Sequence, residues 1–183
     1  QHASWSSDRY RHYVENIVSR LAIHYGNNPT VIGWQIDNEP GHYGVVDYSE
    51  NAQAKFRIWL QKKYGTIDKL NDTWGASFWS ETYQNFEQVR LPNQQEVPDK
   101  ANPHAMLDLN RFMADELAGF VNMQANILRR HIHKDQWITT NLIPIFNPVD
   151  PVRIDHPDFL TYTRYLVTGH NQGIGGQGFR MGI

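Results

Sequence analysis

The stretch Val31-Ile32-Gly33-Trp34-Gln35-Ile36-Asp37-Asn38-Glu39-Pro40 limits what the chain can fold into. Its apolar, β-branched opening reads as a strand, and it ends abruptly in three polar residues and a proline. Pro40 disfavours helix at Glu39 and removes an N–H from any ladder, so the strand stops there. Upstream, Tyr10, Tyr13, Val14, Ile17, Val18 and Leu21 recur at three- and four-residue spacing, which predicts an amphipathic helix. Ser7 or Asp8 can cap its start, and Gly26 suits a left-handed end. Asn27-Asn28-Pro29 then turns the chain into the strand. A helix, a short loop and an apolar strand make half of a β/α repeat. A carboxylate thus stands at the carboxyl end of a buried strand, beside an amide. In α/β barrels and open α/β sheets that end carries the active site. Glu39 is therefore the candidate catalytic acid/base, and Asn38 the candidate substrate-binding neighbour.

The later segments continue the alternation. A loop rich in Gly and Tyr spans 41–48, and a second helix is expected from about Glu50 to Tyr64, closed by Gly65. Thr66 starts a shorter helix carrying Ile67, Leu70 and Trp74. Residues 75–102 read as irregular, long for a plain connection, and long loops in compact domains tend to be functional. Asn102-Pro103 opens the longest helix, to about His131, with an apolar stripe from Met106 to Leu128. Trp137 to Asn141 predicts a strand that again ends in an amide, and Phe159 to Thr163 predicts a third. The tail from Gly169 to Ile183 has six glycines and no apolar period, and reads as loop. Three strands cannot close a barrel, which usually takes about 250 residues. The 183 residues are expected to be a slice of a larger fold.

A formal charge of −2 gives no electrostatic case for nucleic acid or an anionic membrane. No apolar run reaches membrane-spanning length. With no cysteine there is no thiolate metal site, and neither metal nor cofactor is expected. His131 and His133 sit two apart, so on a helix they do not share a face, and they read as solvated residues near a helix end. The glycines of Gly173-Ile174-Gly175-Gly176 follow no strand and lack the lysine of a phosphate loop. Aromatic residues make up 13% of the chain, a richness that fits a sugar-binding surface but is shared by ordinary cores.

Hydrolysis of a glycosidic bond needs two carboxyl groups flanking it, about 5 Å apart in a retaining enzyme. Glu39 suits the acid. Glu81, Glu87, Glu96 and Glu116 end no strand, so none can be named as its partner, and Asp158, at the wrong end of its strand, reads as structural.

Residues 31–44, VIGWQIDNEPGHYG, closely resemble the acid/base strand of glycoside hydrolase family 42, the β-galactosidases. The resemblance continues through FRIWLQKKYGTIDKLNDTWGASFWS (56–80), NPHAMLDLNRFMADE (102–116) and ITTNLI (138–143). It implies a partial (β/α)8 TIM barrel, roughly the third helix through the sixth strand, forming one incomplete segment of a catalytic domain. It also implies retaining hydrolysis of terminal β-D-galactosides, with Glu39 as proton donor, Asn38 hydrogen-bonding the sugar and Trp79 lining the galactose pocket. The family nucleophile, a Glu on the seventh strand, is expected beyond Ile183, which would leave these residues inactive alone. Where many members read Asp-Phe-x-Ser-Trp-Asp-x-Tyr, this chain reads Asp158-Phe-Leu-Thr-Tyr-Thr-Arg-Tyr165. The second Asp has become Thr163, which leaves open a barrel glycosidase of another sugar specificity. A non-catalytic carbohydrate-binding remnant is the reading from another class. The expected partners are a galactoside and, because a partial barrel leaves edges and apolar faces uncovered, further copies of the chain. The compartment stays open, though members of the family are often cytoplasmic.

Overall fold

The computed structural model describes residues 4–41, 46–93, 102–143 and 149–163. Glu96, the tail from Gly169 and half of the 41–48 loop lie outside them. The elements run α1 (Asp8–Tyr25), β1 (Gly33–Gln35), α2 (Glu50–Tyr64), α3 (Ile67–Trp74), α4 (Pro103–Arg129), β2 (Trp137–Leu142) and β3 (Phe159–Tyr162). Short 3-10 turns occupy Phe86–Gln88 and Pro151–Arg153. Local chemistry sets most boundaries. The side chains of Ser7, Ser49, Thr66 and Asn102 each accept a first-turn N–H, and Gly75 ends α3 in the left-handed region at φ 59°.

Gly26 departs from the expected left-handed end: its φ is −61°. Its need for glycine is steric, because a Cβ there would lie 2.5 Å from the His131 carbonyl oxygen and 2.4 Å from that of Ala22. The backbone of Gly26 also accepts the His133 N–H at 3.0 Å, locking the end of α1 onto the turn after α4.

The three strands are parallel in the order β1-β2-β3. Neighbours in sequence are neighbours in space, as in a barrel wall, and one face of this wall carries the helices. Trp34, Ile36, Ile138, Leu142 and Leu160 face Leu117, Ala118, Val121, Ala125 and Leu128 of α4 and Ala22 of α1. The opposite face presents Gln35, Trp137 and Phe159, all exposed. A second core joins Ala52, Phe56 and Leu60 of α2, Leu70 and Trp74 of α3, and Leu109, Phe112 and Met113 of α4. Helix α4 is long because it spans both cores.

One feature of these cores was not read from the sequence. Asp108 is buried among the apolar residues of α4 and accepts from Tyr64 Oη (2.5 Å), Trp74 Nε1 (3.0 Å), Lys63 Nζ and Arg111 Nη1 (3.4 Å). One carboxylate therefore ties α2 and α3 to α4. The apolar stripe of α1 is formed as predicted but covered on one side only: Tyr10 stacks on Phe120 and Val18 packs on the first core, while Tyr13, Ile17 and Leu21 are 46–60% exposed.

Candidate active site

The parallel register stacks side chains on the helix-free face of the sheet in layers. Gly33 lies opposite Trp137, and a Cβ on Gly33 would fall 2.1 Å from the indole, so glycine is what lets that ring fit. Above it, Gln35 meets Thr139 and Thr139 meets Phe159. The top layer, at the carboxyl ends, contains Asn141 opposite Thr161 and brings in the residues after β1. The ladder runs one bond past β1, from Ile36 N–H to the Thr139 oxygen at 2.9 Å, and then breaks.

Where it breaks the backbone turns left-handed. Asp37 has φ 56° and Glu39 φ 48°. Aspartate visits this region readily, but a glutamate before proline does not, and such a residue stores on the order of 1–3 kcal/mol of strain. Strain of this kind persists where surrounding contacts over-determine it, and it clusters at functional sites. Glu39 is 9% exposed, and its N–H donates to Asn141 Oδ1 at 3.0 Å. The same oxygen accepts from Gln35 Nε2 at 3.1 Å. Asn141 Nδ2 donates to Asn38 Oδ1 at 3.0 Å and to Thr163 Oγ1 at 2.8 Å. The Asn38 N–H is turned back to Asp37 Oδ1 at 2.8 Å. Asn141, from the next strand, thus sits at the centre of the cluster that holds Glu39 and Asn38 together.

Asp37 presents surface to solvent, yet protein packs round much of its carboxyl group. Burial raises its pKa, against hydrogen bonds from the Asn38 N–H and from Gln124 that lower it. Trp79 comes from a different segment. It lies in the turn after α3, half-buried, edge-on to the 82%-exposed Phe78 at 5.1 Å, and followed by Ser80 at φ 56°. Among the described residues no hydrogen bond joins Trp79 to the strand-end cluster. Beside it, burial raises the pKa of Glu81.

The other acidic candidates are committed elsewhere. Glu87 pairs with Arg57 at 3.6 Å, and Glu116 with Arg11 at 3.4 Å. Asp158 accepts from the Ile138 N–H at 2.6 Å and pairs with Arg129, stapling the starts of β2 and β3 at the far end of the sheet from Glu39. Its structural reading holds. His133 faces the Asp135 carboxylate at 3.4 Å. Among the described residues no three His, Asp or Glu side chains converge into a metal-binding set, and no helix is long and apolar enough to cross a membrane.

The left-handed Glu39, with Asn38 beside it, follows the end of a strand in this parallel wall. The profile of the glycoside hydrolase family 42 β-galactosidases matches residues 1–177. The chain belongs to that family. The β-galactosidase BgaA of a Thermus species is 38% identical over 167 residues, covering 90% of this chain and 25% of that protein. The crystal structure of the β-galactosidase from the psychrophilic Marinomonas ef1 superposes with a TM-score of 0.83 at 35% identity, again over 90% of this chain and 25% of the other. The β-galactosidase of the Antarctic haloarchaeon Halorubrum lacusprofundi gives 0.81 at 31% identity, with the same coverage. The chain thus spans about a quarter of the length of the relatives it matches.

Within this glycoside hydrolase family the three parallel strands are part of a TIM barrel, and the exposed face of Gln35, Trp137 and Phe159 is the interior side of its wall. The family 42 motif was legible at Glu39 and Asn38. Asn141 was legible only as an amide ending a strand. What gives it a role is the register that sets β2 beside β1, across a crossover of about a hundred residues, and no local signal carries that.

Proposed function

We propose that these residues carry the acid/base half of a retaining β-galactosidase that cleaves terminal β-D-galactosides. One observation supports the reading above others: Glu39 is held in a strained left-handed turn at the carboxyl end of a barrel strand, with Asn38 beside it. In the first step Glu39 protonates the glycosidic oxygen as the C–O bond breaks, and a second carboxylate, from barrel beyond the described residues, takes the anomeric carbon. In the second step Glu39 removes a proton from the water that releases the sugar. Asn38 hydrogen-bonds the sugar, and Trp79 offers an aromatic wall to it. The family's second carboxylate is a Glu of a later barrel strand, so the 183 residues by themselves are expected not to turn over.

The test is Glu39→Gln in the full-length enzyme carrying this segment. An aryl galactoside with a poor leaving group needs the proton, so its glycosylation should fall by about 100-fold or more, within the usual range for a general acid. A dinitrophenyl galactoside departs without help, and its kcat/KM should fall far less. Equal losses on both would sink the acid role. A panel of aryl glycosides on the same enzyme tests the sugar: activity greatest on another glycoside would favour the reading that Thr163 marks a different specificity. No turnover of any, with sugar affinity unchanged in Glu39→Gln, would favour a binding remnant.

A further inference from the structure

The Asn141 amide has four hydrogen-bonding positions, two lone pairs and two N–H groups, and all four are filled. Two of these contacts are between amides, and amide groups can be turned end for end without changing the positions of the heavy atoms. The contact with the Glu39 backbone cannot be turned, because an N–H only donates. It forces Asn141 to present Oδ1 toward Glu39 at 3.0 Å, so Nδ2 points toward Asn38 and Thr163. Asn38 must then present Oδ1 to Asn141, and its own Nδ2 has no partner among the described residues, on a side chain exposed at the mouth of the site. The orientation of one side chain is set, through another, by the backbone of the acid/base residue.

We infer that Asn141 is a positioning residue for hydrolysis, which locks the Asn38 amide with its NH2 outward, so that Asn38 meets the sugar as a hydrogen-bond donor. Thr163 Oγ1, accepting the second N–H of Asn141 at 2.8 Å, anchors the amide from the third strand. The acceptor on the substrate is an oxygen lone pair, of a hydroxyl or of the glycosidic linkage. This inference rests on the reading of Asn38 as a sugar ligand and of Glu39 as the acid/base residue.

Asn141→Asp separates the roles. An aspartate has the same shape and still accepts from the Glu39 N–H and from Gln35, but it cannot donate. Asn38 then loses the partner of its Oδ1, and its NH2 turns back onto the new carboxylate, away from the sugar. The experiment is a double-mutant cycle in the full-length enzyme: wild type, Asn38→Ala, Asn141→Asp and the pair, each assayed for kcat and KM on one aryl β-galactoside, with thermal melts alongside. Each single change is expected to lower kcat/KM about 10- to 100-fold, the scale of loss when a group at an active site is misplaced by about 1 Å. The pair should be within about twofold of Asn38→Ala, because Asn141 acts through Asn38. Losses that multiply would overturn the inference and leave the ligand role of Asn38 standing. Wild-type activity in Asn38→Ala would overturn that role, and this inference with it. If the melts show that Asn141→Asp does not fold, Asn38→Asp tests the same point with Asn141 intact: it keeps an acceptor toward Asn141 Nδ2 and presents an oxygen outward in place of the NH2, so kcat/KM should fall as in Asn38→Ala, and wild-type activity would overturn the inference.

Discussion

Removing the carboxylate of Asp108 tests how the helical layer is held. Asp108→Ala leaves the Tyr64 hydroxyl and the Trp74 N–H buried without an acceptor, and Lys63 without its counter-charge. A buried donor left unmade costs about 1–3 kcal/mol, and breaking a buried ion pair about 3–5 kcal/mol. These costs overlap, because they describe one cavity and one carboxylate, so a loss of about 3–5 kcal/mol is expected rather than their sum. With a urea dependence of about 2 kcal/mol per M, that lowers the denaturation midpoint by roughly 1.5–2.5 M. Tryptophan fluorescence reads the transition, since Trp74 itself touches Asp108. The pH dependence gives a second check. Burial works to raise the pKa of Asp108, but the hydrogen bonds from Lys63, Tyr64 and Trp74 outweigh it and hold the group below its usual value. A depressed folded-state pKa means that the contribution is complete above the unfolded value, near 4, and is lost as pH falls through the lower folded value. The gap between wild type and Asp108→Ala should therefore be constant near neutrality and shrink only below about pH 4. An unchanged midpoint, or a gap that closes between pH 6 and 8, would refute the reasoning.

Gly33→Ala should destabilise by about 1–3 kcal/mol, because the new methyl meets the Trp137 indole. Combining it with Trp137→Ala should restore part of the melting temperature that Trp137→Ala and Gly33→Ala lose separately; strictly additive losses would contradict the clash. Asp37 carries the opposite sign to Asp108: burial raises its pKa, so its ionised form is disfavoured in the fold. That penalty is absent below the unfolded value near 4 and complete above the raised one, and Asn also tolerates the left-handed φ of 56°. Asp37→Asn should thus melt slightly higher than wild type at pH 7 and match it at pH 3, and a lower melting temperature at pH 7 would contradict this. The 183-residue polypeptide alone should self-associate through the uncovered face of Tyr13, Ile17 and Leu21, giving light-scattering masses above 21.3 kDa; a monodisperse monomer would count against it.

The parts legible in the sequence were those with local causes. Gly65 and Thr66 marked the end of α2 and the start of α3 to the residue, because capping is decided within one turn. Glu39 was legible because an apolar run, a polar stop and a proline occupy ten consecutive residues. What escaped depends on partners far along the chain. Asp108 interrupts an apolar stripe, and its acceptors' donors come from α2 and α3, some 34–45 residues away. Gly26 was assigned the right residue type for the wrong reason, since its constraint is the His131 carbonyl, not its own φ. The α1 stripe shows the converse. Periodicity tells which side of a helix will be covered, but not whether the covering surface lies within the same stretch of chain.

The role of Glu39 can be read from the stereochemistry of one rescued reaction. Glu39→Ala in the full-length enzyme, given an activated aryl β-galactoside, should form the covalent galactosyl intermediate and then stall for want of a general base. Azide needs no base, and it attacks that intermediate from the face water would use, so activity should recover and the product should be β-galactosyl azide. Proton NMR of the anomeric centre distinguishes it from the α-anomer. If Glu39 were instead the nucleophile, azide would displace the aryl group directly and give the α-azide. The β-azide is the result predicted here; the α-azide, or no rescue at all, would contradict the assignment of Glu39 as the acid/base.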